Sequence, residues 1–248
     1  MSGMRQKQLS LRVATYNTHK CRGLDGRIDV ARVASVLKPL KADVIALQEI
    51  IGPSVKKSGQ EEELGMRLNM LPLLAPVRSY HGHLYGNAVL SRLRVSRHVI
   101  YDLTQQGYER RGCHRTDIIL DGHTIHLYNL HLGLSGVERS RQVRKLLSLI
   151  EDENVRGPKI LLGDFNEWKK GPATDYLNDK LKNIDLLPHL KWRRTYPGLL
   201  PIFHLDHIYY AGHVEIVNLY VPRGWRALIA SDHLPLLAEL RITVRSPE

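Results

Sequence analysis

The sequence is poor in cysteine and in aromatic residues, and it has no long apolar run. Cys21 and Cys113 are its only cysteines among 248 residues. Two thiols make no disulfide framework, so a reducing cytosol is the simpler compartment. No stretch approaches the roughly 18 apolar residues of a membrane-spanning helix, and the polar residues 1–10 do not resemble a secretory leader. We therefore expect a cytoplasmic protein without a transmembrane segment, and peripheral membrane association stays open.

Acidic residues are also few relative to basic ones. The chain has 36 Lys and Arg against 25 Asp and Glu, a formal net charge of +11. Such a surplus favours a polyanionic partner: nucleic acid, anionic lipid head groups or phosphorylated small molecules. The alternative is a basic surface that only maintains solubility. Aromatic residues make up 6% of the chain, which indicates no stacking platform for single-stranded nucleic acid.

Apolar runs of strand length recur along the chain, with three or four amphipathic helices between them. The predicted strands are 11–17, 43–49, 87–91, 117–120, 124–130, 159–165, 205–210 and 236–244. The predicted helices are one capped by Asp29, one over 60–71, one opened by a Ser135–Glu138 capping box, and one over 173–181. Asp121-Gly122 predicts a hairpin turn. Because several strands follow one another directly, mixed sheets covered by helices fit better than a doubly wound parallel sheet.

The chain contains no convincing linker. We expect one domain over residues 11–244, preceded by a polar extension over 1–10 and followed by a short tail over 245–248. Residues 52–59 and 191–201 are predicted to be surface loops within that domain. The oligomeric prediction is a monomer.

Polar side chains end many of the predicted strands, and this is the most informative pattern in the sequence. The residues concerned are Asn17, Gln48, Glu49, Asn129, His131, Asp164 and Asn166, with Asp206 at the start of its strand and Asp232 and His233 just before the last strand. Any one of them can be structural, but together they indicate a metal-assisted phosphate site at one edge of the sheets. Hard divalent cations prefer oxygen ligands, and Mg²⁺ is usually held by one or two carboxylates plus water and substrate phosphate.

The residue types suggest a division of roles. Metal oxygens would come from Asn17, Glu49 and Asp232. His131 and His233 can hydrogen-bond phosphoryl oxygens or move protons. Asp164 can deprotonate a water, Asn166 can hold the phosphate, and Asp206 can orient an imidazole.

These residues stand in motifs that resemble the endonuclease/exonuclease/phosphatase superfamily, which includes DNase I-like nucleases and AP endonucleases. The matching motifs, in family order, are Tyr16-Asn17, Leu47-Gln48-Glu49, Gly86-Asn87-Ala88-Val89-Leu90-Ser91, Asn129-Leu130-His131, Gly163-Asp164-Phe165-Asn166, Leu205-Asp206-His207-Ile208 and Ser231-Asp232-His233-Leu234-Pro235. The resemblance is greatest to small bacterial members and covers about residues 11–243.

The resemblance implies a DNase I-like fold, a four-layer αββα sandwich of two mixed β-sheets flanked by helices. It also implies roles: Glu49 as the principal Mg²⁺ ligand with Asn17 and Asp232 supporting it, and Asp164 activating the attacking water. Asn166 and His131 would bind the scissile phosphate, and His233, oriented by Asp206, would stabilise or protonate phosphoryl oxygens. The metal would neutralise developing negative charge, and Mn²⁺ is a possible substitute.

Three departures from the family pattern stand out. His19 occupies the position where AP endonucleases carry a carboxylate, so it is a candidate for metal or phosphate contact. No carboxylate near the Gly86 strand is evident to orient His131, although Asn87 is available. The Trp-Cys-Asp-Arg motif of inositol-polyphosphate 5-phosphatases is missing around Asp206, which disfavours that substrate class.

The leading functional prediction is a Mg²⁺-dependent phosphodiesterase acting by in-line attack of water, with DNA or RNA as substrate. Candidate phosphate contacts are His19, Arg92 and Arg115. Arg111 is a plausible phosphate contact as well, since Arg111 and Arg115 flank Cys113-His114 just before a strand. Basic loop residues such as Lys169 and Lys170 add to the polyanion hypothesis. The first alternative is a phosphodiesterase or phosphatase directed at phospholipid head groups. The second is a non-catalytic nucleic-acid-binding module on the same fold.

Overall fold

Two six-stranded sheets account for most of the molecule. The computed structural model describes residues 6–183, 194–198 and 200–245. The strands are β1 Gln6–Asn17, β2 Val44–Ile51, β3 Leu71–Tyr80, β4 His83–Ser91, β5 Arg94–Asp102, β6 Gly112–Leu120, β7 His123–His131, β8 Lys159–Asp164, β9 Lys182–Asn183, β10 Asp206–Ala211, β11 Val214–Tyr220 and β12 Leu236–Arg245. The helices are α1 Val30–Leu37, α2 Gln60–Leu68, α3 Gly136–Ile150, α4 Pro172–Lys180 and α5 Trp225–Ala230. Short 3-10 turns cover His19–Cys21 and Lys38–Leu40.

Both sheets are mixed. The first has the order β11-β12-β1-β2-β4-β3 and the second the order β5-β6-β7-β8-β10-β9. β1 pairs in parallel with β2, and β7 pairs in parallel with β8, whereas the other ladders are antiparallel. Each parallel pair is joined by a crossover that contains a helix, as a parallel connection requires.

The two sheets pack face to face, and helices cover their outer faces. Alternating residues of β1 show the division: Leu11 and Val13 point into the core between the sheets, whereas Ala14 and Tyr16 point toward α1 and α2. The second sheet packs its outer face on α3 and α4. The molecule is therefore the four-layer αββα sandwich that the motif resemblance implies.

Buried amides join the two sheets just below the edge that carries the polar strand ends. Asn129 of β7 donates from Nδ2 to the carbonyl oxygens of Leu47 (3.0 Å) and Ala88 (2.8 Å), both in the first sheet. Gln48 Nε2 donates to Asn129 Oδ1 at 2.8 Å. Asn129 and Gln48 are both fully buried, so their hydrogen bonds hold the sheets in one relative position next to the site.

Several predicted elements agree with the structure, and their caps explain why. Asp29 accepts a hydrogen bond from the Arg32 amide at 2.9 Å and starts α1. Asp121 and Gly122 both have positive φ, as a tight two-residue hairpin between β6 and β7 requires. Ser135 is the N-cap of α3, but its side chain makes no capping hydrogen bond, so the predicted capping box is wrong in that detail.

Other elements are missed or begin elsewhere. β1 begins at Gln6, so residues 6–10, predicted as an extension, pair with the end of β12. Residues 1–5 and 246–248 and most of the predicted 191–201 loop lie outside the described residues, and the division into domains stays a prediction. β3, β5 and β11 were not predicted; β3 is an edge strand that contains Pro72 and Pro76, and prolines of this kind weaken a strand prediction.

Cys21 and Cys113 are buried, free and located in separate cores, one on the outer face of each sheet. Within the described residues, no helix is long and apolar enough to cross a membrane.

Candidate active site

The candidate site lies where the carboxyl ends of the two parallel strand pairs meet. Asn17 ends β1, Glu49 lies near the end of β2, and His131 and Asp164 end β7 and β8. Because β10 is antiparallel to β8 and Asp206 pairs with Asp164, the start of β10 reaches the same edge. The carboxyl ends of parallel strands are the usual place for a ligand site in sheets of this kind.

Glu49 is aimed into the site by a bulge in β2. The pairing of β2 with β4 shifts register between Leu47 and Ile50, and Glu49 has a φ of 58°. A left-handed conformation is costly for a non-glycine residue and is typical of functional positions. The carboxylate of Glu49 accepts hydrogen bonds from Asn17 Nδ2 at 3.4 Å and from Lys20 Nζ at 2.6 Å.

The charges around Glu49 keep it ionised. Burial acts to raise the pKa of Glu49, but attraction to His131, whose ring is protonated in the acidic range where Glu49 titrates, and to Lys20 outweighs burial and lowers the pKa to about 2. Burial, together with Arg111, lowers the pKa of His131 to about 4. His131 is thus neutral at pH 7, and Lys20 is the cation that faces Glu49 there.

Asp164 lies at the centre of the cluster. Its Oδ2 accepts a hydrogen bond from Asn17 Nδ2 at 2.9 Å, and its Oδ1 accepts one from the Asn166 amide at 2.8 Å. The Nε2 atoms of His131 and His233 lie 3.7 Å and 3.6 Å from Asp164 Oδ2. One buried carboxylate therefore faces both imidazoles of the site.

His233 is oriented by Asp206, as the sequence predicts. The two side chains meet at 2.9 Å between Nδ1 and Oδ2. Burial acts to lower the pKa of His233, but the charges of Asp206 and Asp164 outweigh it and raise the pKa to about 10. His233 is consequently protonated at neutral pH, and the ring of Tyr196 packs 4.9 Å from its own ring.

The segment before β12 is tied to the end of β1. Ser231 Oγ donates to the Asn17 carbonyl oxygen at 2.8 Å, which places Asp232 beside the turn that follows β1. His19 Nδ1 lies 3.7 Å from Asp232 Oδ1. His19 is thus next to the predicted metal ligand Asp232, at the margin of the cluster.

A cavity of about 290 Å³ opens over these side chains. Its lining includes the predicted residues Asn17, Glu49, His131, Asp164, Asn166, Asp232 and His233. The sequence prediction of the site missed further lining residues, among them Lys20, Arg78, Trp168 and Tyr196, and Arg111 also lines the cavity.

Lys20 reaches the site through an unusual backbone turn. His19, Lys20 and Cys21 all have φ near +50° to +60°, and the Lys20 carbonyl is held by Gln60 Nε2 at 2.7 Å. No motif marks such a left-handed run of non-glycine residues. The only feature of the sequence that could have pointed to Lys20 is that this left-handed run directly follows Asn17-Thr18.

Arg111 is the basic residue of its segment that enters the site. It is 7% exposed, its Nη1 lies 3.4 Å from His131 Nδ1, and its Nη2 pairs with Glu109 at 3.0 Å. Among the described residues, then, an arginine and not a carboxylate contacts the outer nitrogen of His131. Asn87, the predicted orienting residue, lines a smaller neighbouring cavity with both of them.

Two predicted phosphate contacts do not reach the site. Arg92 follows β4 beside the start of β2, where its amide donates to the Asp43 carbonyl oxygen. It therefore lies at the end of the sheet opposite Glu49. Arg115 is buried in a two-pronged pair with Asp117, at 2.8 and 2.9 Å, and donates to Tyr101. Side chains alternate between the two faces of the sheet along β6, and Arg115 falls on the outer face, away from the cavity.

The donor set fits a magnesium ion. Glu49 is an ionised carboxylate, Asp232 supplies a second carboxyl group on a side chain that is 31% exposed, and Asn17 adds an amide. Among the described residues no group of three or more His, Cys, Asp or Glu side chains has the arrangement of a metal cage. Mg²⁺ needs no such cage, because waters and substrate phosphate complete its shell.

Similar proteins cover nearly all of this chain. The Escherichia coli K12 protein YbhP is 29% identical over 251 residues, which span 95% of this chain and 98% of YbhP. A crystal structure of an endonuclease/exonuclease/phosphatase from Beutenbergia cavernae superposes with a TM-score of 0.73 at 23% identity, over 94% of this chain and 72% of that one. Danio rerio TDP2, in complex with a single-strand DNA product, superposes with a TM-score of 0.72 at 18% identity, over 93% and 98%. Similarity at these identities establishes the fold.

The sandwich and its cluster of carboxylates, imidazoles and amides define a hydrolase that acts on phosphoric esters. The Endonuclease/Exonuclease/phosphatase family profile matches residues 14–233, which include every predicted site residue. The chain belongs to this family, whose members generally use divalent metal ions.

Proposed function

We propose that the protein is a Mg²⁺-dependent phosphodiesterase in which Asp164 activates the attacking water. The observation that carries the proposal is the environment of Asp164, a carboxylate that is 1% exposed and held by Asn17, with two imidazoles within 3.7 Å. A carboxylate in this position can accept the proton of a water aligned with the scissile P–O bond.

The metal would be held by Glu49, with Asn17 and Asp232 supporting it, and it would neutralise charge that develops on the phosphoryl oxygens. Mn²⁺ would replace Mg²⁺ because both accept carboxylate, amide and water oxygens.

His233 has the properties of a cationic donor. Protonated through Asp206, it can donate from Nε2 to a phosphoryl oxygen or to the leaving oxygen. His131, Asn166 and Arg111 surround the remaining face of the cavity. A neutral imidazole, an amide and a guanidinium can all donate hydrogen bonds to a phosphate.

The net charge of +11 supports a polyanionic substrate. For nucleic acid the support is this charge together with the DNA-bound state of the neighbouring TDP2 structure. The second candidate substrate is a phospholipid diester. Its support is a set of exposed apolar side chains on loops at the end of the molecule that holds the cavity.

The test uses the generic diester bis-p-nitrophenyl phosphate with Mg²⁺, alongside plasmid DNA, RNA and phospholipid. Asp164→Asn should lower kcat by about 100-fold to 10,000-fold, the usual contribution of a general base. The matched control is Asp179→Asn, at an exposed position of α4, which should leave kcat unchanged. Diester cleavage that persists in Asp164→Asn would reject the role of Asp164. Cleavage that resists EDTA would reject the metal.

A further inference from the structure

Exposed apolar side chains are concentrated at the end of the molecule that holds the cavity. We define the apolar rim as six large apolar residues that are each at least 40% exposed: Leu24, Leu134, Trp168, Leu200, Ile202 and Trp225. Leu200, Trp225 and Leu134 are 72%, 70% and 65% exposed. Scattered exposed apolar residues are ordinary, but a cluster around a cavity marks a site of interaction.

The topology places every member of the apolar rim at the same end. Leu24 follows β1, Leu134 follows β7 and Trp168 follows β8, all at the strand ends that carry the site. Leu200 and Ile202 lie in the loop that leads into Asp206. Trp225 begins α5, which leads into Ser231, and the Leu24 amide bonds to the Ile229 carbonyl of that helix.

Contacts connect part of the apolar rim to the cavity itself. Trp168 and Leu134 line it. The Trp168 ring packs against Tyr196 at 5.2 Å and against Phe203 at 4.9 Å, and these two residues pair as the base of the loop that presents Leu200 and Ile202. Other large apolar side chains are also exposed. Met66 and Leu71 line a cavity with Arg92 at the opposite end of the first sheet, and Ile100, Val217 and Tyr220 lie on the edge strands β5 and β11. The exposed residues that belong neither to these two groups nor to the apolar rim are Ile28, Val55, Leu84, Tyr108 and Val137.

Basic side chains stand on the same loops as the apolar rim. Arg22 and Arg27 flank Leu24, Lys169 and Lys170 follow Trp168, and Arg226 follows Trp225; all five are exposed. Apolar groups interspersed with exposed cations are complementary to a negatively charged surface with an apolar interior, because the cations meet the head groups while the apolar groups insert.

We propose that the apolar rim docks the protein on an anionic phospholipid bilayer, so that the catalytic cavity faces the lipid head groups. Nucleic acid fits this surface less well. Its backbone is contacted by charged and hydrogen-bonding side chains and its bases by aromatic rings, whereas Leu24, Leu134, Leu200 and Ile202 are aliphatic. Vesicle binding needs no turnover, so this inference rests on the proposed function only where it says that the cavity hydrolyses a lipid after docking.

The test measures binding to vesicles without catalysis. The Asp164→Asn protein should co-sediment with phosphatidylglycerol/phosphatidylcholine (1:1) vesicles, and its affinity should fall as NaCl is raised. Adding the triple change Leu24→Ser, Leu200→Ser and Trp225→Ser should weaken that affinity at least tenfold. None of these three residues lines the cavity, so on the active parent the same triple change should leave bis-p-nitrophenyl phosphate hydrolysis intact.

The matched control removes the same kind of side chain away from the apolar rim, with Met66→Ser, Leu71→Ser and Val217→Thr. It should bind vesicles as the parent does, and thermal unfolding checks that both triple variants are folded. Equal vesicle affinity of the rim variant and its parent would overturn the proposal. Failure to bind vesicles combined with tight binding to DNA of equal phosphate concentration would also overturn it. A folded protein that binds vesicles but hydrolyses no diester refutes the proposed function and leaves the docking inference standing.

Discussion

Replacing Asn129 by leucine should destabilise the protein and weaken catalysis together. Asn129 bridges the sheets through hydrogen bonds to the Leu47 and Ala88 carbonyl oxygens and from Gln48. Leucine has a similar volume, so Asn129→Leu removes the hydrogen bonds without opening a large cavity. Because Gln48 precedes Glu49, the same change loosens the bulge that aims the Glu49 carboxylate.

The magnitude follows from the three hydrogen bonds that are lost. Each contributes about 1 kcal/mol net, and a buried partner left without a replacement costs somewhat more. We expect the free energy of unfolding to fall by about 3–5 kcal/mol. In a domain of this size each kcal/mol shifts Tm by about 2–4 °C, so Tm should fall by at least about 6 °C.

Urea denaturation and calorimetry measure the loss in free energy of unfolding. Hydrolysis of bis-p-nitrophenyl phosphate, at a temperature well below the Tm of both parent and variant, measures the loss of catalysis. Asn218→Leu is the matched control, since Asn218 is exposed and makes a local bond to the next amide. A destabilisation below about 1 kcal/mol, the value of a single hydrogen bond, would refute the assignment of Asn129 as the bridge between the sheets.

Three further predictions concern charge. Asp206→Asn removes the largest charge that raises the pKa of His233, and burial then lowers that pKa. We expect kcat/KM to decline with rising pH at a lower pH in the variant than in the parent. Superimposable pH profiles would contradict this prediction. Lys20→Met removes a cation 2.6 Å from Glu49, so half-maximal activation should need several-fold less Mg²⁺; an unchanged or higher requirement would count against a metal at Glu49. Glu61 is 3% exposed, its Oε2 has no hydrogen-bond partner, and burial raises its pKa to about 7. Stability is therefore lost as pH rises from about 4.5 through 7, and Glu61→Gln should raise the free energy of unfolding by about 1–2 kcal/mol at pH 8.5 and by little at pH 4; an equal gain at both pH values would exclude the carboxylate as the cause.

The strand-end residues could be predicted because their chemistry and their spacing agree. An apolar run that ends in Asp, Glu, Asn or His places that group at the edge of a sheet whatever the order of the strands. Asn17, Glu49, His131 and Asp164 follow from this pattern, and His233 from its place just before the last strand. All five line one cavity.

The basic residues could not be sorted by the same reasoning. Arg111 and Arg115 are four residues apart in one segment, yet Arg111 contacts His131 while Arg115 pairs with Asp117 on the outer face. The two positions have the same parity and would share a face of one strand, so alternation cannot separate them. Arg111 instead precedes β6, which begins at Gly112, whereas Arg115 lies within that strand. Arg92 was misplaced because a residue that follows a strand motif can lie at either end of the sheet.

By itself the sequence determined a strand-rich class with mixed sheets covered by helices, and the oxygen and imidazole groups of the site. These follow from local hydrophobic periodicity and from side chains whose chemistry is independent of packing. The αββα layers and the family came from the resemblance of the motifs. Tertiary structure alone decided which cations meet those groups, because Lys20 enters the site from a left-handed turn and Arg111 from the loop that precedes β6. It also decided that exposed apolar residues of five separate segments lie at the end of the sandwich that holds the cavity, since distance along the chain carries no information about which loops share that end.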